Sequence, residues 1–327
     1  MGGASEEEKE KSKEKKIKAL NSHGEFLEMN DLGEIKEYEY EKTEDEIELI
    51  QLANEEVNEF MKKVGVEPYD IPIENYHLLS EDDYEEHSPD SIGMAIFSKQ
   101  AIVLNADKLR RGKMPFFSTV VHETFHLKGK MVLEVSEDEE DVTESLFRGG
   151  LSVYSSQKKD GEGDSHSHFL GVHEAITDKV TKRILRKNIE NNPLFKEEKE
   201  FLNSEEMEKR KEESDIPNEL IYWVDKEGGV FYDDKQKEQE VIDYVCEKIS
   251  EENPQDFPDE TAVFDQFLKA HFSGRLLPLA RATEKTFGKG SFRVLGNMKT
   301  DGESATLVLE ELKKRRGREA SNRHSLD

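Results

Sequence analysis

The chain has 327 residues, 37% of them charged, and its 74 acidic against 47 basic side chains leave a formal charge of −27. Phosphate repulsion makes so acidic a chain a poor general binder of nucleic acid or of anionic membrane surfaces. With no run of about eighteen apolar residues, no apolar signal core in residues 1–20 and a single cysteine, Cys246, the reading is a protein without a membrane span, expected in the cytoplasm.

Taken in chain order, residues 1–18 are a mixed-charge tail with too little apolar material to order itself, and the largely flexible segment extends over 1–42. From Thr43, the residues Ile47, Ile50, Leu52, Val57, Phe60 and Met61 recur at helical intervals, and Thr43 with Glu46 resembles a capping box. After IPIENYHLL and the acidic loop EDDYEEHSPD, the short apolar stretches GMAIF and AIVLN are bounded by turn formers and predict strands. Pro115 then opens a helix, PFFSTVVHETFHLKGKMVLEV, proline suiting a first turn.

The acidic run SEDEEDVTE leads to GGLSVYSS, a strand entered through Gly149 and Gly150, and QKKDGEGDSHS reads as a flexible hairpin loop. Another helix begins near Gly171, in VHEAITDKVTKRILRKN. Residues 191–216 form a charged helix or linker. Beyond Pro217 the chain turns helical again, through VIDYVCEKIS, AVFDQFLKAHF, LLPLARATEKTFG and SATLVLEELKKRR. Cys246 falls on an amphipathic helix as a small core residue. The resulting division is a mixed α+β domain at 43–190, the linker at 191–216, a helical subdomain at 217–312 and a basic tail at 313–327.

The residues that carry chemistry are His122, Glu123 and His126, in VVHETFHLKG. Histidines at i and i+4 project from one helix face, so both imidazoles reach one metal ion. Glu123 occupies the neighbouring angular position, close enough to take a proton from a water held by the metal and pass it to a leaving amine. The pattern is HExxH. Val120, Val121, Phe125 and Leu127 give its helix the apolar bulk of a buried element.

A tetrahedral catalytic zinc needs a third protein ligand and an open fourth position. In HExxHxxGxxH that ligand is a histidine beyond a glycine; Gly129 is present, but position 132 is Val, which cannot ligate. Downstream, Glu174 and Asp178 share a helix face at i and i+4, so one carboxylate can ligate while the other accepts the N–H of a ligating histidine. Ala175, Ile176, Val180 and Ile184 make that helix apolar enough to pack beside the first.

HExxH followed by an E-A-x-T-[DE] helix, here Glu174 to Asp178, resembles the gluzincin clan of zinc metallopeptidases. The likeness is above all to the small thermolysin-like catalytic domains, or minigluzincins, of many uncharacterised bacterial proteins. The segment AHFSGRLLPLARATEKTFGKGSFRVLGNM is similar to the helices that follow their catalytic core, so the resemblance covers about residues 45–300. It implies a zincin-like core at 43–190, a small mixed sheet over an active-site helix and a glutamate helix. It further implies one Zn²⁺ ion held by His122, His126 and Glu174, Glu123 as general base, and Asp178 as the group that orients a ligand histidine. His173 stands where these families often carry Asn, which keeps a His173 ligand open.

Other residues compete for roles. His166 and His168 lie in the polar stretch SHSH, where solvation is the commoner fate. One of them, or Tyr154, Tyr222 or His271, can donate to the oxyanion, and the sequence does not rank them. In resembling enzymes an edge strand, here within MAIFSKQAIVLN, pairs with an extended peptide. KKRRGR at 313–318 reads as a solvated helix end, and the glycines of EGGV and GKGSF lack phosphate-loop spacing.

The expected function is zinc-dependent hydrolysis of a peptide or protein substrate, with oligomeric state left open. Two other classes remain: a metal-binding but non-proteolytic protein of the same fold, and an acidic interaction module. Charge divides unevenly, with net −19 over residues 21–90 and net +5 over 91–130, the segment that holds the HExxH helix.

Overall fold

The computed structural model describes residues 38–85, 91–97, 99–137, 142–159, 162–225 and 227–324. Most of the expected flexible N-terminal segment therefore lies outside the described residues. Its described end is tied down: Tyr40 N–H donates to Leu78 O, and the Arg110 guanidinium lies over the Tyr40 ring. The architecture is mixed α+β, with helices carrying most of the chain and three small sheets between them.

Helix α1 (Glu44–Lys63) starts at the expected capping box, with Thr43 Oγ1 accepting from Glu46 N and Glu46 Oε2 accepting from Thr43 N. Leu49, Ile50, Ala53, Val57 and Met61 recur every three or four residues and form its buried stripe. Next come β1 (Tyr76–Leu79), which occupies the end of IPIENYHLL, the short α2 (Glu81–Glu85), β2 (Gly93–Ile96) and β3 (Ala101–Asn105). The sheet order is β1-β3-β2, with β1 parallel and β2 antiparallel to β3. Every residue of β3 is buried, as a central strand covered on both faces requires. Among the described residues, strand β2 is left as an edge.

After α3 (Ala106–Leu109), helix α4 (Lys113–Lys128) carries the HExxH residues and is buried nearly all round. It is shorter than the sequence suggests. Gly129 ends it, and Met131–Glu137 becomes strand β4, whose Val132 and Val135 suit a ladder better than a helix. Strands β5 (Val142–Gly149), β6 (Ser152–Lys159) and β7 (Glu162–His168) complete an antiparallel sheet in chain order. The stretch expected to be a loop is largely the β6–β7 hairpin, with Gln157 opposite Asp164 and Lys159 opposite Glu162. Its polar residues have little strand propensity. Pairing with β6 overrides that, as cross-strand context commonly does.

Helix α5 (Leu170–Asn191) packs beside α4 and begins at Phe169, which adopts φ +62°. Phe169 N–H donates to Gly296 O and Gly171 N–H to Met298 O, so a distant segment fixes where α5 starts. The charged stretch that follows forms α6 (Lys196–Leu202) and α7 (Glu205–Glu212). The chain beyond Pro217 is not purely helical: β8 (Ile221–Val224) and β9 (Val230–Tyr232) make a hairpin first. Their aromatic and β-branched residues flank a Gly228–Gly229 turn, and that chemistry outweighs the helical trend on either side.

Helices α8 (Gln236–Glu252), α9 (Glu260–Ser273), α10 (Leu277–Phe287), α11 (Ser291–Gly296) and α12 (Gly302–His324) follow. One apolar cluster runs from Leu49 on α1 through α4 and α5 to Leu312 on α12. Cys246 lies in it, its thiol pushed up by burial. Among the described residues no helix is long and apolar enough to cross a membrane.

The uneven charge has a structural outlet. Basic residues before and at the start of α4 reach back to the acidic N-terminal part: Arg110 pairs with Glu46, Lys113 with Asp45, and Lys108 with Glu81 and Glu85. In KKRRGR, Arg315 pairs with Glu311, and Arg316 with Glu251 and Glu252.

Candidate metal centre

Each half of the centre is local in sequence. His122 and His126 share a face of α4, Glu174 and Asp178 share a face of α5, and packing of the two helices brings the faces together. The Nε2 atoms of His122 and His126 lie 2.9 Å apart, and Glu174 Oε2 lies 3.4 Å from the first and 3.6 Å from the second. A tetrahedral site with bonds of about 2.0–2.1 Å has ligand–ligand edges of about 3.3–3.4 Å. The triangle is thus the right size for one ion. Among the described residues, this is the one His/Cys/Asp/Glu trio whose ligand atoms all lie within 4.8 Å of one another, and it can hold a metal ion.

The other ring nitrogens are engaged elsewhere. His122 Nδ1–H points to Asp178 Oδ1 at 3.3 Å. His126 Nδ1 lies 3.0 Å from His173 Nε2, and His173 Nδ1 lies 2.6 Å from Ser152 Oγ, so each pair is within hydrogen-bond distance. With His126 Nδ1 as the donor to His173 and both helix imidazoles neutral, as ligation requires, both Nε2 atoms can offer lone pairs to an ion. The same contact places His173 behind His126, facing its Nδ1 rather than the triangle.

Electrostatics agree with this arrangement. Burial pushes the His173 imidazole well below its ordinary value, with His126 and His271 adding to the shift, so it stays neutral and can accept. Burial pushes the Glu174 carboxyl up, but His126 and His122 outweigh it and hold the group well below the carboxylate range. Burial likewise disfavours charge on His122, and the carboxylates of Asp178 and Glu174 overcome it, raising the imidazole well above its usual value. The two carboxylates therefore favour positive charge between them.

Glu123 sits under the edge strand β2. A Cβ added to Gly93 would lie 2.4 Å from Thr119 Cγ2 and 3.2 Å from Glu123 Cγ, so glycine is what lets β2 approach the helix. Burial raises the Glu123 carboxyl, while His122, His126 and a hydrogen bond with the Ala95 backbone pull it back. The net shift is upward, which makes Glu123 a stronger base than an ordinary carboxylate.

The centre opens into a cleft of about 1230 Å³, walled by β2, the inner face of β5–β7, α5 as far as Leu185, and the β8–β9 hairpin. Of the residues considered as oxyanion donors, Tyr154, His166 and Tyr222 line this cleft. Burial pushes the Tyr222 phenol up to about 12, against a hydrogen bond with Ser118. His168 is exposed and does not line the cleft. His271 is fully buried: its Nε2–H donates to Phe125 O at 3.0 Å, and its ring stacks on Phe125. Burial pushes it down to about 3.

Sequence reading had no route to Ser152 or to the bridging role of His173, because β6 meets α5 only in three dimensions. The β8–β9 hairpin had left a signal, IYWV and VFY around a glycine turn, and it brings Tyr222 to the cleft. Comparison of the chain with protein-family models, curated proteins and solved structures finds no match in any of the three.

Proposed function

We propose that the chain is a zinc-dependent peptidase with a zincin-like core of gluzincin type. The observation that carries this reading is the convergence of His122 Nε2, His126 Nε2 and Glu174 Oε2 beside Glu123, beneath the edge of β2. Two imidazoles and one carboxylate suit zinc better than calcium or magnesium, which favour all-oxygen sites.

His122, His126 and Glu174 would hold the ion, oriented from behind by Asp178 and by His173 with Ser152. The chemistry that bound zinc supplies is Lewis acidity, which polarises a carbonyl and acidifies a water. Glu123 accepts the water's proton, is left as the carboxylic acid, and returns the proton to the leaving amine. Strand β2, at the edge of its sheet among the described residues, is where an extended peptide would add as a further strand.

The test has two arms. Metal analysis is expected to find one zinc per chain, lost in His126→Ala. Hydrolysis of casein or a peptide library is expected in wild type and absent in Glu123→Gln with zinc retained. Zinc binding without hydrolysis in wild type leaves a metal-binding, non-proteolytic protein, and a fully active Glu123→Gln protein sinks the mechanism.

A further inference from the structure

One corner of the cleft is built from aromatic rings. At the Phe97 end of β2 three rings meet between the two larger sheets. Phe97 packs edge-on against Phe147 with centroids 5.6 Å apart, and Phe147 stacks on its cross-strand partner Tyr154 at 6.1 Å. A Cβ on Gly149 would lie 3.2 Å from Phe97 Cζ and 3.4 Å from Phe147 Cζ, so any larger residue would crowd the corner. All three rings line the cleft, and Phe97 and Tyr154 are half-buried rather than sealed. Elsewhere the cleft wall carries charge, with Lys182 paired to Asp233, and Arg111 reaching Glu227.

We propose that the Phe97–Phe147–Tyr154 corner is a subsite for an aromatic or large aliphatic side chain of the substrate, on the N-terminal side of the bond cleaved. This rests on the peptidase reading above and adds the class of peptide. Glu123 marks where the bond is broken, and it sits under Gly93 and Ala95 of β2. An extended peptide pairing antiparallel to β2, the more stable of the two ladders, runs with its N-terminal part toward Phe97. From Ala95 to Phe97 is two residues, about 6.8 Å along a strand. The side chain delivered to the corner therefore belongs to a residue one or two positions before the scissile bond. Rings already packed edge-on and stacked offer an incoming ring the same favourable geometries, whereas a charged side chain there would lose its water.

The test uses peptides of one length that differ only at the two positions before the bond, carrying Phe, Tyr, Leu, Ala or Asp. Wild type is expected to cleave the Phe peptide about tenfold more efficiently than the Ala peptide, by kcat/KM. Phe97→Ala and Tyr154→Ala are each expected to collapse that ratio to within about threefold. The ratio is read only for variants whose circular dichroism matches wild type, and either variant suffices. In parallel, zinc-loaded Glu123→Gln protein is titrated with the same labelled peptides, and anisotropy is expected to rank them in the same order. Cleavage with no preference for Phe, or with preference for Asp, overturns the subsite while leaving the peptidase reading intact. Selective binding of the Phe peptide, lost on adding Phe97→Ala, with no cleavage by wild type, supports the subsite and overturns the peptidase reading.

Discussion

His126 and His173 meet edge to face inside the protein, with His126 Nδ1 3.0 Å from His173 Nε2. Ser152 Oγ lies on the far side of the second ring, 2.6 Å from its Nδ1. The three groups form a line of hydrogen bonds that ends at one candidate metal ligand. Replacing His173 by Leu strands the buried N–H of His126 without an acceptor. Zinc affinity is expected to fall about 10- to 100-fold, as for outer partners of metal-bound histidine. His173→Gln keeps an acceptor and is expected to retain most of the affinity, and Ser152→Ala is expected to cost less than His173→Leu. Competition against a fluorescent chelator measures all three.

A second relationship ties the C-terminal helices to the metal helix. His271 on α9 donates to Phe125 O, one of the carbonyls that the end of α4 leaves without a helical partner, and its own carbonyl accepts from Lys130 N. Arg148 donates to Ala270 O, Gly274 O and Gly150 O, closing the same corner from β5. Gly150, at φ +58°, passes so close that a Cβ would lie 2.4 Å from His271 Nδ1. His271→Leu is expected to destabilise the protein by about 2 kcal/mol through an unsatisfied buried carbonyl. His271→Gln, which can still donate, is expected to cost less, and urea melts compare the two.

What was legible in the sequence is what is local. The HExxH pair and the Glu174–Asp178 pair each lie one helical turn apart, so a period of 3.6 residues suffices to see them. The capping box at Thr43 is local in the same way. Strand β7 was not legible, because EGDSHSH has no strand chemistry and becomes a strand only by pairing with β6. The end of α4 is marked in the sequence only by Lys128, Gly129 and Lys130, beyond which MVLEV resumes an apolar run that a helix could also carry. There Gly129 and the partner strand β5 decide the boundary. His173 and His271 carry no local mark of their roles, since their partners lie 47 and 146 residues away.

On the proposed reading, Gly93 is expected to matter to hydrolysis and not to metal binding. Strand β2 supplies no ligand, yet its approach to α4 depends on the missing Cβ, which would meet Thr119 Cγ2 at 2.4 Å. Gly93→Val is expected to push β2 away from Glu123 and displace a paired substrate. Zinc stoichiometry is expected to stay at the wild-type value while kcat/KM drops about 100-fold, the penalty of roughly 1 Å of misplacement. Parallel metal analysis and peptide hydrolysis check it, and loss of zinc in the variant would mean that β2 supports the metal site directly.

Lys128, two residues past His126, is buried with its Nζ donating to Asn54 O and Asn58 Oδ1. Burial pushes the amine down to about 7, with Asp70 opposing the shift. An unfolded chain keeps the proton up to about pH 10.4. Between those values the unfolded state binds more protons than the folded state, so stability rises with pH across that window. Below about pH 7 both states are protonated and this contribution is flat. The slope from one proton is about 1.4 kcal/mol per pH unit, so roughly 1 kcal/mol per unit is expected from pH 7.5 to 9.5. Lys128→Met fills the same space without a titrating group and is expected to remove that slope. The unfolding free energy of the variant minus that of wild type should therefore fall steadily as pH rises from 7.5 to 9.5. Urea melts at three pH values decide it: a difference that does not change with pH would mean that Lys128 keeps its charge in the folded protein.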